Sequence, residues 1–142
     1  MTDAHDQSLT LRLIEHVPPH EPRESDPYYH LFRETKDRMR RLGLLRCAIP
    51  GCQYPGPIEL HHEKVEFAFQ AGVDLARFND AYGLHLNDDD EFRAYIEGPG
   101  NLEPLCAVHH RTHLGVHAMP GPLWGLVRVW KDGTAPPAET AT

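Results

Sequence analysis

The chain has 142 residues, of which 40% are hydrophobic, with 13 prolines, 11 glycines, three cysteines and a formal charge of −7. That length suits one domain with a modest core, and so many turn-forming residues invite a staple such as a structural metal. No apolar run nears the roughly 18 residues of a membrane span, no signal-peptide core opens the chain, and an odd cysteine count suits a reducing compartment, so the expectation is a cytoplasmic protein with no membrane partner and no disulfide framework.

The charge is uneven. Residues 27–58 carry six basic side chains against two acidic ones, whereas residues 59–103 carry eleven acidic against three basic. The basic segment leaves room for a polyanion partner, and the overall balance argues against a broad, non-specific one.

Residues 1–25, with Pro18, Pro19 and Pro22, read as a mobile arm in which Leu9, Leu11 and Leu13 offer a short edge strand. Asp26-Pro27 reads as an N-cap followed by proline at the first helical position. Tyr28, Leu31, Phe32, Thr35, Met39 and Leu42 then recur at helical spacing up to Gly43. The opposite face presents Lys36, Arg40 and Arg41, the candidate phosphate-contacting surface; most such faces are only solvated.

Cys47-Ala-Ile-Pro-Gly-Cys52 follows, and Pro50-Gly51 forces a turn that brings two thiols together in the manner of a zinc knuckle. Pro57-Ile-Glu-Leu-His61-His62 reads as a short strand whose neighbouring imidazoles point to opposite faces. Residues 63–100 are too long for a plain loop and should carry their own helices. Asp74 caps one with Leu75, Phe78 and Tyr82 inward, and Asp88 caps another with Phe92, Tyr95 and Ile96 inward. Asp88-Asp89-Asp90-Glu91 suits a helix start better than a cation site. Beyond Pro122, Leu123, Leu126, Val127 and Trp130 fit a helical face, with a strand left open by Val127 and Val129. Residues 133–142 read as a disordered Pro/Ala/Thr tail.

The densest chemistry lies in Asn101-Leu-Glu-Pro-Leu-Cys106-Ala-Val-His109-His110-Arg-Thr-His113. Cys47-x4-Cys52 and Cys106-x2-His109 are paired half-sites far apart in sequence, the architecture of a closed tetrahedral zinc site, with His110 as the rival fourth ligand.

Cys47-Ala-Ile-Pro-Gly-Cys52, Glu59-Leu-His61-His62 and Asn101-Leu-Glu-Pro-Leu-Cys106-x2-His109-His110 together resemble the HNH nucleases of the ββα-metal fold, in particular their zinc-stapled, cysteine-bearing branch. The resemblance covers about half the chain, mainly residues 44–62 and 101–117. It implies an α+β fold: a ββα-metal core with a structural zinc site, an N-terminal helix, and residues 63–100 as a helical insertion between the hairpin strands. The nuclease domain would span residues 26–132.

By the same resemblance Cys47, Cys52, Cys106 and His109 hold Zn2+, while His61 and His110 hold Mg2+ or another divalent cation. His62 would be the general base, and Asn101 would fix the base or its loop. His113 and His117 are alternative further ligands, the second if the chain turns back at Gly115. The activity implied is hydrolysis of DNA phosphodiesters; the alternative is a non-enzymatic zinc module for DNA or protein recognition. The acidic insertion offers a surface for a protein partner.

Overall fold

The computed structural model describes residues 1–3, 5, 7, 8, 10 and 14–131. The edge strand expected through Leu9, Leu11 and Leu13, and the tail at 133–142, lie outside the described residues. The fold is mixed α+β, with a two-stranded antiparallel sheet and several helices. Among the described residues no helix is long and apolar enough to cross a membrane.

A single 3-10 turn, Arg23–Ser25, precedes helix α1, which runs Tyr29–Arg41. The helix starts later than Asp26-Pro27 suggests. The Asp26 carboxylate accepts from the Tyr28 amide at 3.0 Å, and its carbonyl accepts from the Tyr29 amide at 3.0 Å. Pro27 therefore sits in a capping turn, where its fixed φ is equally at home, and not at the first helical position.

Strand β1 (Ile58–His62) pairs with strand β2 (Leu102–Cys106), placing Ile58 opposite Cys106, His61 opposite Glu103 and His62 opposite Leu102. Between the strands lie a 3-10 segment at Phe67–Gly72, helix α2 (Leu75–Tyr82) and helix α3 (Asp89–Ile96). Asp74 and Asp88 cap these helices, accepting from the Arg77 and Glu91 amides at 2.9 Å each. The acidic run at 88–91 thus opens a helix, where negative charge offsets the macrodipole. Phe78, Phe92 and Ile96 bury themselves together, with the two phenyl rings edge to face at 5.2 Å. At about 1.5–3 kcal/mol for each fully buried side chain, this cluster gives the insertion a core of its own.

Helix α4 (Ala107–Arg111) begins where β2 ends and packs on both strands. Helix α5 (Gly121–Leu126) follows, with Pro122 in its first turn. Val127 and Val129 lie in the turns after α5, so the strand that their β-branching left open does not form.

Candidate metal centres

The first centre joins the knuckle to the β2–α4 junction. Gly51 has φ +75°, as the third residue of a type II turn with proline before it requires, and the Cys52 amide closes the turn on the Ile49 carbonyl at 3.2 Å. The Ala48 amide donates to the Pro104 carbonyl at 2.8 Å, which fastens the knuckle to β2. Cys106 is the N-cap of α4, and its sulfur accepts from the His109 amide at 3.5 Å.

The donor atoms of Cys47, Cys52, Cys106 and His109 lie within 4.8 Å of one another. Cys52 Sγ is 3.8 Å from Cys106 Sγ, and His109 Nδ1 is 3.5 Å from Cys47 Sγ and 3.3 Å from Cys106 Sγ. Tetrahedral zinc, with bonds of about 2.3 Å to sulfur and about 2.0–2.1 Å to nitrogen, sets edges of about 3.8 and 3.5 Å. The cluster can therefore hold a metal such as zinc. Burial pushes the Cys52 thiol up to about 12 and raises that of Cys47 as well. Thiolates at neutral pH would need the charge of a bound cation.

The second centre gathers His61 from β1, His110 from α4 and His117 from the chain beyond it, with donor atoms within 4.8 Å of one another. Ring centroids are 5.4 Å apart for His61 and His110, 5.0 Å for His61 and His117, and 4.8 Å for His110 and His117. The return of the chain at Gly115 delivers His117. A Cβ on Gly115 would lie 2.8 Å from the His110 carbonyl carbon and 2.9 Å from the Val108 oxygen, so only glycine crosses the end of α4 this closely. The Val116 amide then donates to the His109 carbonyl at 2.8 Å. His113 does not join the cluster: α4 stops at Arg111, before the helical spacing could carry it inward, and the residue is exposed.

Glu59 precedes His61 by two residues on β1 and so faces the same side. Its Oε2 accepts from His110 Nδ1 at 2.6 Å and from Arg111 Nε at 2.9 Å. With the proton held on Nδ1, His110 offers Nε2 as its free donor. Burial works to raise the Glu59 pKa, but Arg111 and His110 outweigh it and hold the carboxyl below its ordinary range. The His61 pKa falls to about 3 through burial first and then through His117 and His110, so the imidazole is neutral and able to ligate.

His62 faces the other way. Its ring stacks on Phe32 of α1 at 5.9 Å, and its Nε2 lies 3.3 Å from Glu97 Oε1. Glu97, 1% exposed, forms a two-pronged ion pair with Arg23, whose Nη2 reaches Oε2 at 2.9 Å. The guanidinium sits over Phe32 at 4.5 Å and Phe67 at 4.7 Å. Burial tends to raise the Glu97 pKa, but His62 and Arg23 more than offset it and keep the carboxyl ionised. The last residues of the expected mobile arm are thus built into the fold.

Asn101 is fully buried, and its side-chain hydrogen bonds go to backbone groups and not to the His62 ring. Its Oδ1 accepts from the Lys64 and Val65 amides at 2.8 and 3.1 Å, and its Nδ2 donates to the Val65 and Ile96 carbonyls at 3.0 Å each. All four amide hydrogen-bonding positions are filled, fixing the loop that leaves His62. On α1, Lys36 is half-buried, Arg41 is exposed, and Arg40 donates to Asp37 at 2.7 Å.

Glu59 stands in a quoted motif without a role assigned to it, and Glu97 and Arg23 escaped the motif reading. Glu59 carried a usable signal, its two-residue step from His61. Glu97 and Arg23 carried none, because they meet His62 from an insertion and from an arm. No family model, curated protein or solved structure matches the chain, so the site speaks through its own geometry.

Proposed function

We propose that this chain is a metal-dependent endonuclease of the ββα-metal, HNH type, hydrolysing DNA phosphodiesters. The observation that carries the reading is the convergence of His61, His110 and His117 from a strand, a helix and a return loop, with His110 oriented by Glu59. Three imidazoles leave room for phosphate and water, the condition for a catalytic rather than a closed site. A divalent cation such as Mg2+ held there would neutralise charge on the scissile phosphate and on the leaving 3′ oxygen.

The protein's own part centres on His62. Glu97 would accept the Nε2 proton and leave Nδ1 as the atom to take a proton from water, which requires the His62 ring to turn from its Phe32 face toward the phosphate. As the water oxygen bonds to phosphorus, the bond to the 3′ oxygen breaks and that oxygen leaves with the electron pair. Asn101 holds the loop after His62, and the Cys47, Cys52, Cys106 and His109 cluster ties α4 to the knuckle. Lys36, Arg40 and Arg41 supply positive charge for the DNA backbone, and the acidic insertion is the surface on which to seek a protein partner.

The test is plasmid nicking with Mg2+ or Mn2+ by the wild type, His62→Ala and His110→Ala. Cleavage by the wild type that both substitutions abolish supports the reading. No cleavage with either ion overturns it in favour of a non-enzymatic zinc module, and undiminished cleavage by His62→Ala overturns the assignment of His62 as the general base.

A further inference from the structure

The 3-10 segment Phe67–Gly72 is preceded by Glu66, whose backbone at φ −67° and ψ 144° turns its side chain toward the histidine cluster. Glu66 Oε1 lies 3.5 Å from His61 Nδ1 and 3.6 Å from His117 Nε2. Both separations exceed the roughly 2.7–3.2 Å of an N–H···O hydrogen bond. They fit donors sharing one ion, since bonds of about 2.0–2.2 Å place neighbouring donor atoms about 3.0–3.5 Å apart in octahedral or tetrahedral shells.

His61 Nδ1 supplies an independent observation. It is sealed from solvent and has no hydrogen-bond partner among the described residues. An atom left so is desolvated without a compensating bond, and it borders the same small space as the Glu66 carboxylate and the His117 ring. A bound cation satisfies all three groups at once.

We infer that Glu66 is a further ligand of the second centre, a carboxylate that meets the divalent cation beside His61 and His117. The inference rests on the reading of His61, His110 and His117 as a metal site, and not on nuclease activity. A carboxylate hardens an otherwise all-imidazole donor set and lowers the net charge of the loaded site by one. The hard oxygen donor shifts preference away from Zn2+ and toward oxygen-favouring ions such as Mn2+ and Mg2+, relative to three imidazoles alone.

Mn2+ binding, followed by the loss of its free-ion electron paramagnetic resonance signal, tests this on the full chain with its thiolate site filled by zinc. The wild type should bind one Mn2+. Glu66→Gln should weaken binding at least about tenfold, since loss of even an outer-shell partner has that scale. Glu66→Asp should fall between, His110→Ala should abolish binding, and melting temperature and zinc content should stay unchanged in the Glu66 variants. No Mn2+ bound by the wild type, or a Glu66→Gln affinity equal to it, overturns the assignment. Glu66-dependent Mn2+ binding without plasmid cleavage would sink the nuclease reading while leaving the ligand in place.

Discussion

Glu59 and His61 stand on one face of β1, and Glu59 uses that position to hold the Nδ1 proton of His110 at 2.6 Å on a different element. One strand thus supplies a donor to the second centre and sets the tautomer of another. Glu59→Gln should therefore lower Mn2+ affinity by about 10–100-fold with little change in folding. Calorimetric titration checks it, and an unchanged affinity would show that His110 needs no orientation.

The thiolate cluster carries a different expectation. Cys47→Ser should abolish tight zinc binding and markedly lower the melting temperature, because structural zinc contributes folding free energy on the order of 10 kcal/mol. Metal content by atomic emission, read beside thermal unfolding, decides the matter. Retention of one zinc with an unchanged transition would remove the staple.

Gly115→Ala asks whether the return loop matters. The added methyl would sit 2.8–2.9 Å from backbone atoms of His110 and Val108, and overpacking of this kind costs about 1–3 kcal/mol. Displacement of the loop should carry His117 away, lowering Mn2+ affinity while zinc content holds. Wild-type Mn2+ affinity in the Gly115→Ala variant would remove His117 from the second centre.

The buried ion pair of Glu97 and Arg23 sets a pH dependence. The Glu97 pKa in the folded protein lies below its ordinary 4.5, so its contribution is present above that pH and is lost as pH falls through the folded value. Glu97→Gln should destabilise the protein by about 3 kcal/mol at neutral pH, since it leaves Arg23 without its counter-charge. The gap from wild type should close on acidification below 4.5. Urea unfolding across pH measures it, and a gap that widens toward acid refutes the assignment.

For the basic helix, Arg40→Ala with Arg41→Ala should flatten the salt dependence of DNA binding by up to about 1.8 in logarithmic slope. The Arg40–Asp37 pair at 2.7 Å places the expectation below that ceiling. An identical slope would leave the helix a solvated face.

Much of the architecture was legible because local signals and tertiary outcome agree. Asp74 and Asp88 cap helices where their spacing from the next apolar residues says they should. The knuckle follows from Pro50-Gly51 lying between two cysteines. The two directions of His61 and His62 follow from strand alternation alone. Illegible features depend on what meets from afar. The Arg23–Glu97–His62 chain spans an arm, an insertion and a strand, and no residue near Glu97 announces its partner. The spacing of His113 presumes a longer helix than α4, which leaves it outside the cluster; the arrival of His117 depends on Gly115, whose missing Cβ matters only once α4 has an end to cross.

Helix α4 has five residues, Ala107–Arg111. A helix of barely more than one turn has no standing of its own in water, where about 12–15 residues are marginal. Its shape is lent by what grips it, and consecutive residues answer to different metals: His109 to the thiolates, His110 to the second centre. Oxidising the cysteines, or stripping their ion with a chelator, would therefore slacken His110 without touching a single atom of its own cluster. With zinc on the thiolates, zinc supply and thiol redox state would act on the geometry of a histidine cluster that contains no sulfur.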